Sequence, residues 1–160
     1  MVPVNVNGLA LDVTTQSPVV ILGPEDSDEI LPIWIGHYEA WAIAMEMSGI
    51  SSKRPLPHDL IKSMLKSLEA RVSKVEIYEL KEQTFYARIS IDTKNGGIEL
   101  DARPSDSIAI ALKTEAPIFA NKALFNLKPA SISGEKKYDP EELKERLKKI
   151  NPEDFGKYSL

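Results

Sequence analysis

The first third of the chain carries short apolar or β-branched runs at residues 2–6, 9–13, 19–22 and 30–35, separated by turn material. The pattern predicts strands. The separators are Asn7-Gly8, Gln16-Ser17-Pro18 and the stretch 23–28. The Asn-Gly step predicts a two-residue hairpin turn, because such a turn needs positive φ at both positions. An antiparallel meander is the expected opening.

After Gly36 the apolar period lengthens to that of a helix. Ala40, Ile43, Ala44 and Met47 fall on one face, with Tyr38, Trp41 and Met45 on an adjoining one, and Ser48-Gly49 closes the segment. A helix over 38–47, apolar almost all round, needs cover on several sides, so the chain is expected to form a homo-oligomer, a dimer in the first instance. A second helix is predicted over 57–68, with Pro57 suited to the first helical position and Leu60, Ile61, Met64, Leu65 and Leu68 as its buried stripe. Residues 72–80 and 84–91 alternate as a long hairpin, Asn95-Gly96-Gly97 turns into a strand at 98–101, and Arg103-Pro104-Ser105-Asp106 opens a short alanine-rich helix reaching Lys113. One more strand is expected at 117–119.

Beyond it the composition changes. Residues 128–138 are rich in Ser, Gly, Lys and Glu and read as a flexible segment. Asp139-Pro140 then starts a C-terminal helix with Leu143, Leu147 and Ile150 on one stripe and Lys144, Lys148 and Lys149 opposite, followed by a tail to Leu160. The expected architecture is α+β: one domain over 1–127, a mainly antiparallel sheet with helices packed on it, then the segment 128–138 and the C-terminal helix and tail at 139–160.

Composition narrows the chemistry. The 160 residues contain no cysteine, which excludes disulfides, thiolate metal sites and cysteine nucleophiles. No window is apolar enough to span a membrane and the first residues lack a signal-peptide pattern, so a cytoplasmic protein with no membrane partner is expected. Twenty Lys and Arg face 24 Asp and Glu, a net charge of -4, which repels a polyanion unless a local site or a cation intervenes. Nucleotide-binding glycine loops, H-E-x-x-H and G-x-S-x-G are all absent. With only His37 and His58, a multi-histidine centre is excluded, and oxygen ligands for Mg²⁺ or Mn²⁺ remain.

One local design occurs twice, as Arg54-Pro55-Leu56-Pro57-His58-Asp59 and as Asp101-Ala102-Arg103-Pro104-Ser105-Asp106. Proline holds the preceding arginine extended beside a helix N-terminus, where backbone N–H groups favour an anion. In structural terms Asp59 and Asp106 are first-turn acids that complement helix dipoles, with the arginines paired to nearby carboxylates. In functional terms Glu39, Asp59, Asp101 and Asp106 converge on a divalent cation, Arg54, Arg103 and Ser105 hold a phosphate, and His58, with Asp59, Asp101 and Asp106, carries the catalysis. Trp34, Tyr38 and Trp41 are expected in the core or at a subunit interface, with base stacking as the alternative. Arg88 is expected to face solvent or a cross-strand acid.

The segments Leu31-Pro32-Ile33-Trp34-Ile35-Gly36 with Glu39-Ala40, Arg54-Pro55-Leu56 with His58-Asp59-Leu60, Thr84-Phe85-Tyr86-Ala87-Arg88, and Asp101 through Ala109 together resemble the bifunctional nuclease family. The likeness runs in order from about residue 2 to 125, and Pro152-Glu153-Asp154-Phe155 resembles the tails of bacterial members. Pro57 stands where the family usually has threonine. The resemblance implies a nuclease acting on RNA or DNA, with a divalent cation as the expected cofactor. The alternative is a non-enzymatic oligomeric binding module whose Arg and Asp residues form a structural network.

Overall fold

A computed structural model describes residues 1–126. The segment at 128–138 and the C-terminal helix expected at 139–160 lie outside the described residues.

Chain order is β1 (Val2–Asp12), β2 (Ser17–Gly23), β3 (Leu31–Trp34), α1 (His37–Met47), α2 (Pro57–Ser67), β4 (Arg71–Lys81), β5 (Thr84–Thr93), β6 (Gly96–Ala102), α3 (Pro104–Thr114) and β7 (Ile118–Ala120), then a 3-10 turn at Lys122–Asn126. The strands form one seven-stranded sheet in the order β3-β2-β1-β7-β4-β5-β6. All pairings are antiparallel except β4 with β7, where Val75, Ile77 and the residue between them run alongside Ile118–Ala120. The α+β class read from the sequence is the observed one.

β7 joins two halves. The first is the β1–β3 meander and the second the β4–β6 meander, and the last strand inserts between β1 and β4. To reach that slot from edge strand β6 the chain must cross β5 and β4, and α3 makes the crossing, packed on both. Its small residues allow the close approach: Ala109 and Ala111 are buried, beside Ile108 and Ile110. These side chains share one core with Val20, Leu22 and Ile33 from the first half and Val75, Ile77 and Ile89 from the second.

Two sequence expectations are corrected. Asn7-Gly8 is not a hairpin turn: β1 runs straight through it, with a register shift between Val6 and Gly8. Gly8 takes φ near 155°, a conformation that other residues rarely adopt, so the Asn-Gly step serves as a bulge. The bulge has a topological use, because residues 2–4 pair with β7 whereas residues 5–12 pair with β2. The hairpin turn falls later, over the four residues between β1 and β2. The second correction concerns α2, which has no buried residue. Of its apolar stripe only Leu65 packs against the core; Leu60, Ile61, Met64 and the adjoining Leu68 are exposed. The amphipathic pattern forecast the helix correctly and its covering wrongly. By contrast α1 is covered by α3 and β2, with Ala40, Ile43, Ala44 and Met45 buried.

Candidate functional site

The β6–α3 junction carries the centre of the site. Arg103 is the N-cap of α3, Pro104 its first helical residue, and Asp106 falls in the first turn, where its side chain turns back toward the arginine. Arg103 Nε donates to Asp106 Oδ2 at 2.7 Å and Nη2 lies 3.0 Å from Glu39 Oε1 on α1. Asp106 Oδ1 lies 3.1 Å from Nε2 of His58, on α2. The result is a continuous chain, Glu39–Arg103–Asp106–His58, that ties the starts of three helices together. The two Arg-Pro segments therefore meet through His58 and Asp106, 48 residues apart.

A second chain runs beside the first. Lys113 Nζ sits 2.6 Å from Glu46 on α1 and 2.6 Å from Asp59 on α2. The other oxygen of Asp59 accepts the backbone N–H of Leu56 at 2.9 Å and caps α2. Lys62 Nζ donates to the Lys113 carbonyl at 2.6 Å. Because α2 buries no side chain, these polar contacts and Leu65 are what hold it, and they hold His58 in place.

The charges answer one another. Burial pushes the Asp106 carboxyl upward, but hydrogen bonds from Arg103 and His58 outweigh it and leave it below the ordinary carboxylate value. Asp59 behaves likewise: burial raises it, and Lys113 and the Leu56 N–H bring it below normal. Burial pushes Lys113 down, whereas Asp59 and Glu46 raise it above the usual lysine value. Arg103 is held more firmly protonated, chiefly by Asp106.

Three of the expected site residues stand apart. Arg54 is exposed and makes no ion pair among the described residues. The reason is positional: Pro57, not Pro55, is the helix-entry proline of α2, so Leu56 becomes the N-cap and Arg54 lies two residues outside it. In α3 the arginine is itself the N-cap, so the two Arg-Pro repeats are not structural equivalents. Asp101 is exposed on β6, directly opposite Arg88 in the ladder. Strand alternation puts it on the face of Glu99 and Arg88, away from Ile89 and the helices. Ser105 takes no part in either ion chain and is buried in the first turn of α3, two residues from Arg103. The four carboxylates expected to hold a metal therefore do not gather: Asp101 is on the other face, Asp59 is spent on Lys113, and Glu39 and Asp106 both face Arg103. Among the described residues no three His, Asp or Glu side chains come together in a metal-binding group. Arg88, expected opposite a cross-strand acid, lies 2.8 Å from Glu76 and over the Tyr78 ring.

Beside Arg103 a cavity of about 390 Å³ opens between the two halves of the sheet. The sheet curls enough for the end of β3 and the start of β5 to share it. Its walls are Trp34, Ile35 and Gly36 on one side, Gln83, Thr84 and Phe85 on another, and Arg103, Pro104 and Ser105 on a third, with Glu39 between. A side chain at Gly36 would collide with the Glu39 carboxylate, so the glycine lets Glu39 fold back over the start of α1. Trp34 is not a core residue, as expected from its neighbours. It is 38% exposed, and its indole N–H donates to Asp12 Oδ2 at 2.9 Å, fixing the ring at the rim.

Sequence reasoning missed Lys113, Glu46 and the wall residues Gln83 and Phe85. A signal for the first two was present: Glu39 and Glu46 are seven residues apart on α1, as are Asp106 and Lys113 on α3, and that spacing returns to the same helix face.

The family model described as the bifunctional nuclease domain matches residues 20–133. The chain belongs to the bifunctional nuclease domain family. An uncharacterized protein of Mycobacterium tuberculosis is 37% identical over 161 residues, covering 95% of this chain and 96% of that protein. Bifunctional nuclease 1 of Oryza sativa subsp. japonica is 29% identical over 109 residues, and Bifunctional nuclease 1 of Arabidopsis thaliana 26% identical over 111. The match covers about two thirds of this chain, 66% and 67%, but only 33% and 34% of those two plant proteins. The matched region contains both ion chains and most of the cavity. No helix among the described residues is long and apolar enough to cross a membrane.

Proposed function

We propose that this bifunctional nuclease domain protein hydrolyses phosphodiester bonds in single-stranded RNA or DNA, with His58 as general base and Arg103 as the group that binds the phosphate. The observation that carries the reading is the His58–Asp106 contact beside Arg103. A base needs an orienting partner, and Asp106 occupies Nε2 of the ring, leaving the other ring nitrogen to take a proton from an attacking water. That nitrogen makes no hydrogen bond among the described residues, and the His58 side chain is 13% exposed, sheltered but reachable. Arg103 keeps donors beyond the two spent on Glu39 and Asp106, and its side chain is largely exposed. A guanidinium in that position stabilises charge as it develops on the phosphoryl oxygens.

Four carboxylates, Glu39, Glu46, Asp59 and Asp106, share two fixed cations in this cluster. An arriving phosphate adds to that excess, so its binding calls for an accompanying cation such as Mg²⁺ or Mn²⁺, while His58 stays neutral as the base. The protein groups present do not form a ligand set for such an ion, and no step here is assigned to one. The other reading, a binding module without catalysis, is favoured by the internal pairing of Arg103 and Lys113. A homo-oligomer remains part of the proposal, with its surface moved from α1 to the exposed stripe of α2.

The test incubates purified protein with labelled RNA and DNA oligonucleotides in Mg²⁺, Mn²⁺ or EDTA, beside Asp106→Asn and Asp101→Asn. Cleavage abolished by the first substitution and kept by the second supports His58–Asp106 chemistry. Cleavage equal in all three proteins marks a contaminant, and absence of cleavage under every condition favours the binding module.

A further inference from the structure

The cavity beside Arg103 has features that hydrolysis at His58 does not use. Ser105 is only 7% exposed, lines the cavity and makes no side-chain hydrogen bond among the described residues. Its oxygen is not enclosed as those of Ser90 and Ser107 are, so the hydroxyl of this nine-tenths buried residue is left open to the cavity with its hydrogen-bonding capacity unspent. It sits in the first turn of an eleven-residue helix whose N-terminus has no side-chain cap, since Asp106 is turned toward Arg103 and His58. Ser105, Arg103 and the uncapped start of α3 thus all border the cavity. Two aromatic side chains border it as well, Trp34, pinned by Asp12, and Phe85. Glu39 also lines the cavity, but its carboxylate is bound to Arg103 and folded over Gly36.

One bordering segment has an unusual backbone. β4 and β5 are joined by the two-residue turn Glu82-Gln83, whose φ values are 48° and 61°. A turn of this kind strongly favours Asn-Gly. Side chains are kept here in a left-handed backbone, and one of them, Gln83, lines the cavity.

We propose that this cavity is a binding site for one nucleotide, its phosphate on Ser105, Arg103 and the first turn of α3, its base against Trp34 and Phe85, and Gln83 at the base edge. A volume of about 390 Å³ lies in the range of small-molecule pockets, roughly 300 to 1,000 Å³, near its lower end, and suits a single nucleotide. The choice of a nucleobase over another aromatic ring rests on the nuclease reading; the anion and ring subsites rest on the cavity alone.

The test titrates the ¹⁵N-labelled full chain with uridine 5′-monophosphate, uridine and inorganic phosphate, following the Ser105 and Asp106 amides and the Trp34 indole N–H by NMR. The monophosphate is expected to shift all three signals, inorganic phosphate the two amides only. Ser105→Ala is expected to weaken the monophosphate about tenfold, the value of one hydrogen bond to a charged group. Trp34→Leu is expected to weaken the monophosphate about tenfold, as loss of one stacked base does, and to leave inorganic phosphate unchanged. A non-cleavable phosphorothioate tetranucleotide that displaces the monophosphate assigns the site to a strand, and failure to displace assigns it to free nucleotides; either supports the site. Monophosphate that leaves these signals unmoved at 10 mM, a saturating level on the order of the weak-binding limit, overturns it. No bond is cleaved, so an inactive protein can still bind, and an active nuclease with an empty cavity refutes this proposal alone.

Discussion

Replacing Lys113 by methionine keeps the stem of the side chain and removes the charge that joins α1 to α2. Nζ lies 2.6 Å from one oxygen each of Glu46 and Asp59, so removing it leaves two carboxylate oxygens at most about 5 Å apart with nothing between them. Two like charges about 5 Å apart repel by about 3 kcal/mol at an effective dielectric near 20 and by about 1 kcal/mol in bulk water. Both carboxylates keep roughly a third of their surface in water and can turn outward, so the expected loss is about 2 kcal/mol, below the 3 to 5 of a fully buried broken pair. The pH dependence has a definite sign. Asp59 is depressed in the folded protein, so its contribution is present above the unfolded value, about 3.9, and is lost as pH falls through the folded value. In Lys113→Met the facing carboxylates instead favour a proton, so their repulsion is full at pH 7 and fades as pH falls toward the unfolded carboxylate value of about 4. Urea unfolding followed by circular dichroism should show the midpoint lowered by about 1 M at pH 7 for a slope of about 2 kcal/mol/M, with the slope unchanged. Adding Glu46→Gln should restore most of it. A loss under about 0.5 kcal/mol at pH 7, the ordinary range of surface changes, or a loss equal at pH 7 and 3.5, would show that Lys113 does not clamp these helices.

Other expectations follow from the same geometry. Asp106→Asn should lower cleavage by at least about 100-fold, the lower end of general base catalysis, while Asp101→Asn leaves the rate unchanged; steady-state rates on a labelled oligonucleotide decide this. Glu82→Asn with Gln83→Gly should stabilise the β4–β5 hairpin by about 1 kcal/mol in thermal unfolding and weaken uridine monophosphate binding, whereas unchanged affinity would remove Gln83 from the site. Met64→Lys or Leu68→Lys should change stability by no more than about 0.5 kcal/mol, because both are exposed, yet reduce the mass in light scattering if α2 forms the oligomer contact; an unchanged mass refutes that surface.

The fold was legible wherever periodicity and burial coincide. Val75, Ile77, Ala87, Ile89 and Ile91 alternate in sequence and are buried in the sheet, because one face of that hairpin lies against α3. Asn7-Gly8 misled because glycine suits a bulge as well as a hairpin turn; only Gly8, not Asn7, takes a positive φ here, and the pairing of β1 with both β7 and β2 makes the step a bulge. The stripe on α2 misled because amphipathicity reports what a helix can bury, not whether a partner covers it. For the site, Arg103, Asp106 and His58 were legible through the helix-entry pattern. Arg54 and Asp101 were not separable from them, since the helix phase set by Pro57 and the strand face set by Arg88 are three-dimensional facts. The cavity was invisible in sequence, because its walls come from three loops brought together by the curl of the sheet.

The site is held by charge more than by burial, and this bears on how it would respond to substrate. His58 rides on a helix with no buried side chain, positioned by Asp106, Asp59 and Leu65. Asp106 in turn is shared between His58 and Arg103, the residue nearest the proposed phosphate position. A phosphate on the remaining donors of Arg103 would weaken the guanidinium's pull on Asp106 and Glu39, and whatever Asp106 loses on that side would strengthen its hold on His58. In the proposed function, substrate binding and the placement of His58 would be two ends of one equilibrium, and linkage would make the coupling reciprocal: a change that fixes α2 more firmly against α3 would also alter phosphate affinity at Arg103. A site packed into the hydrophobic core would lack that coupling, since its base would be held whether or not substrate were present.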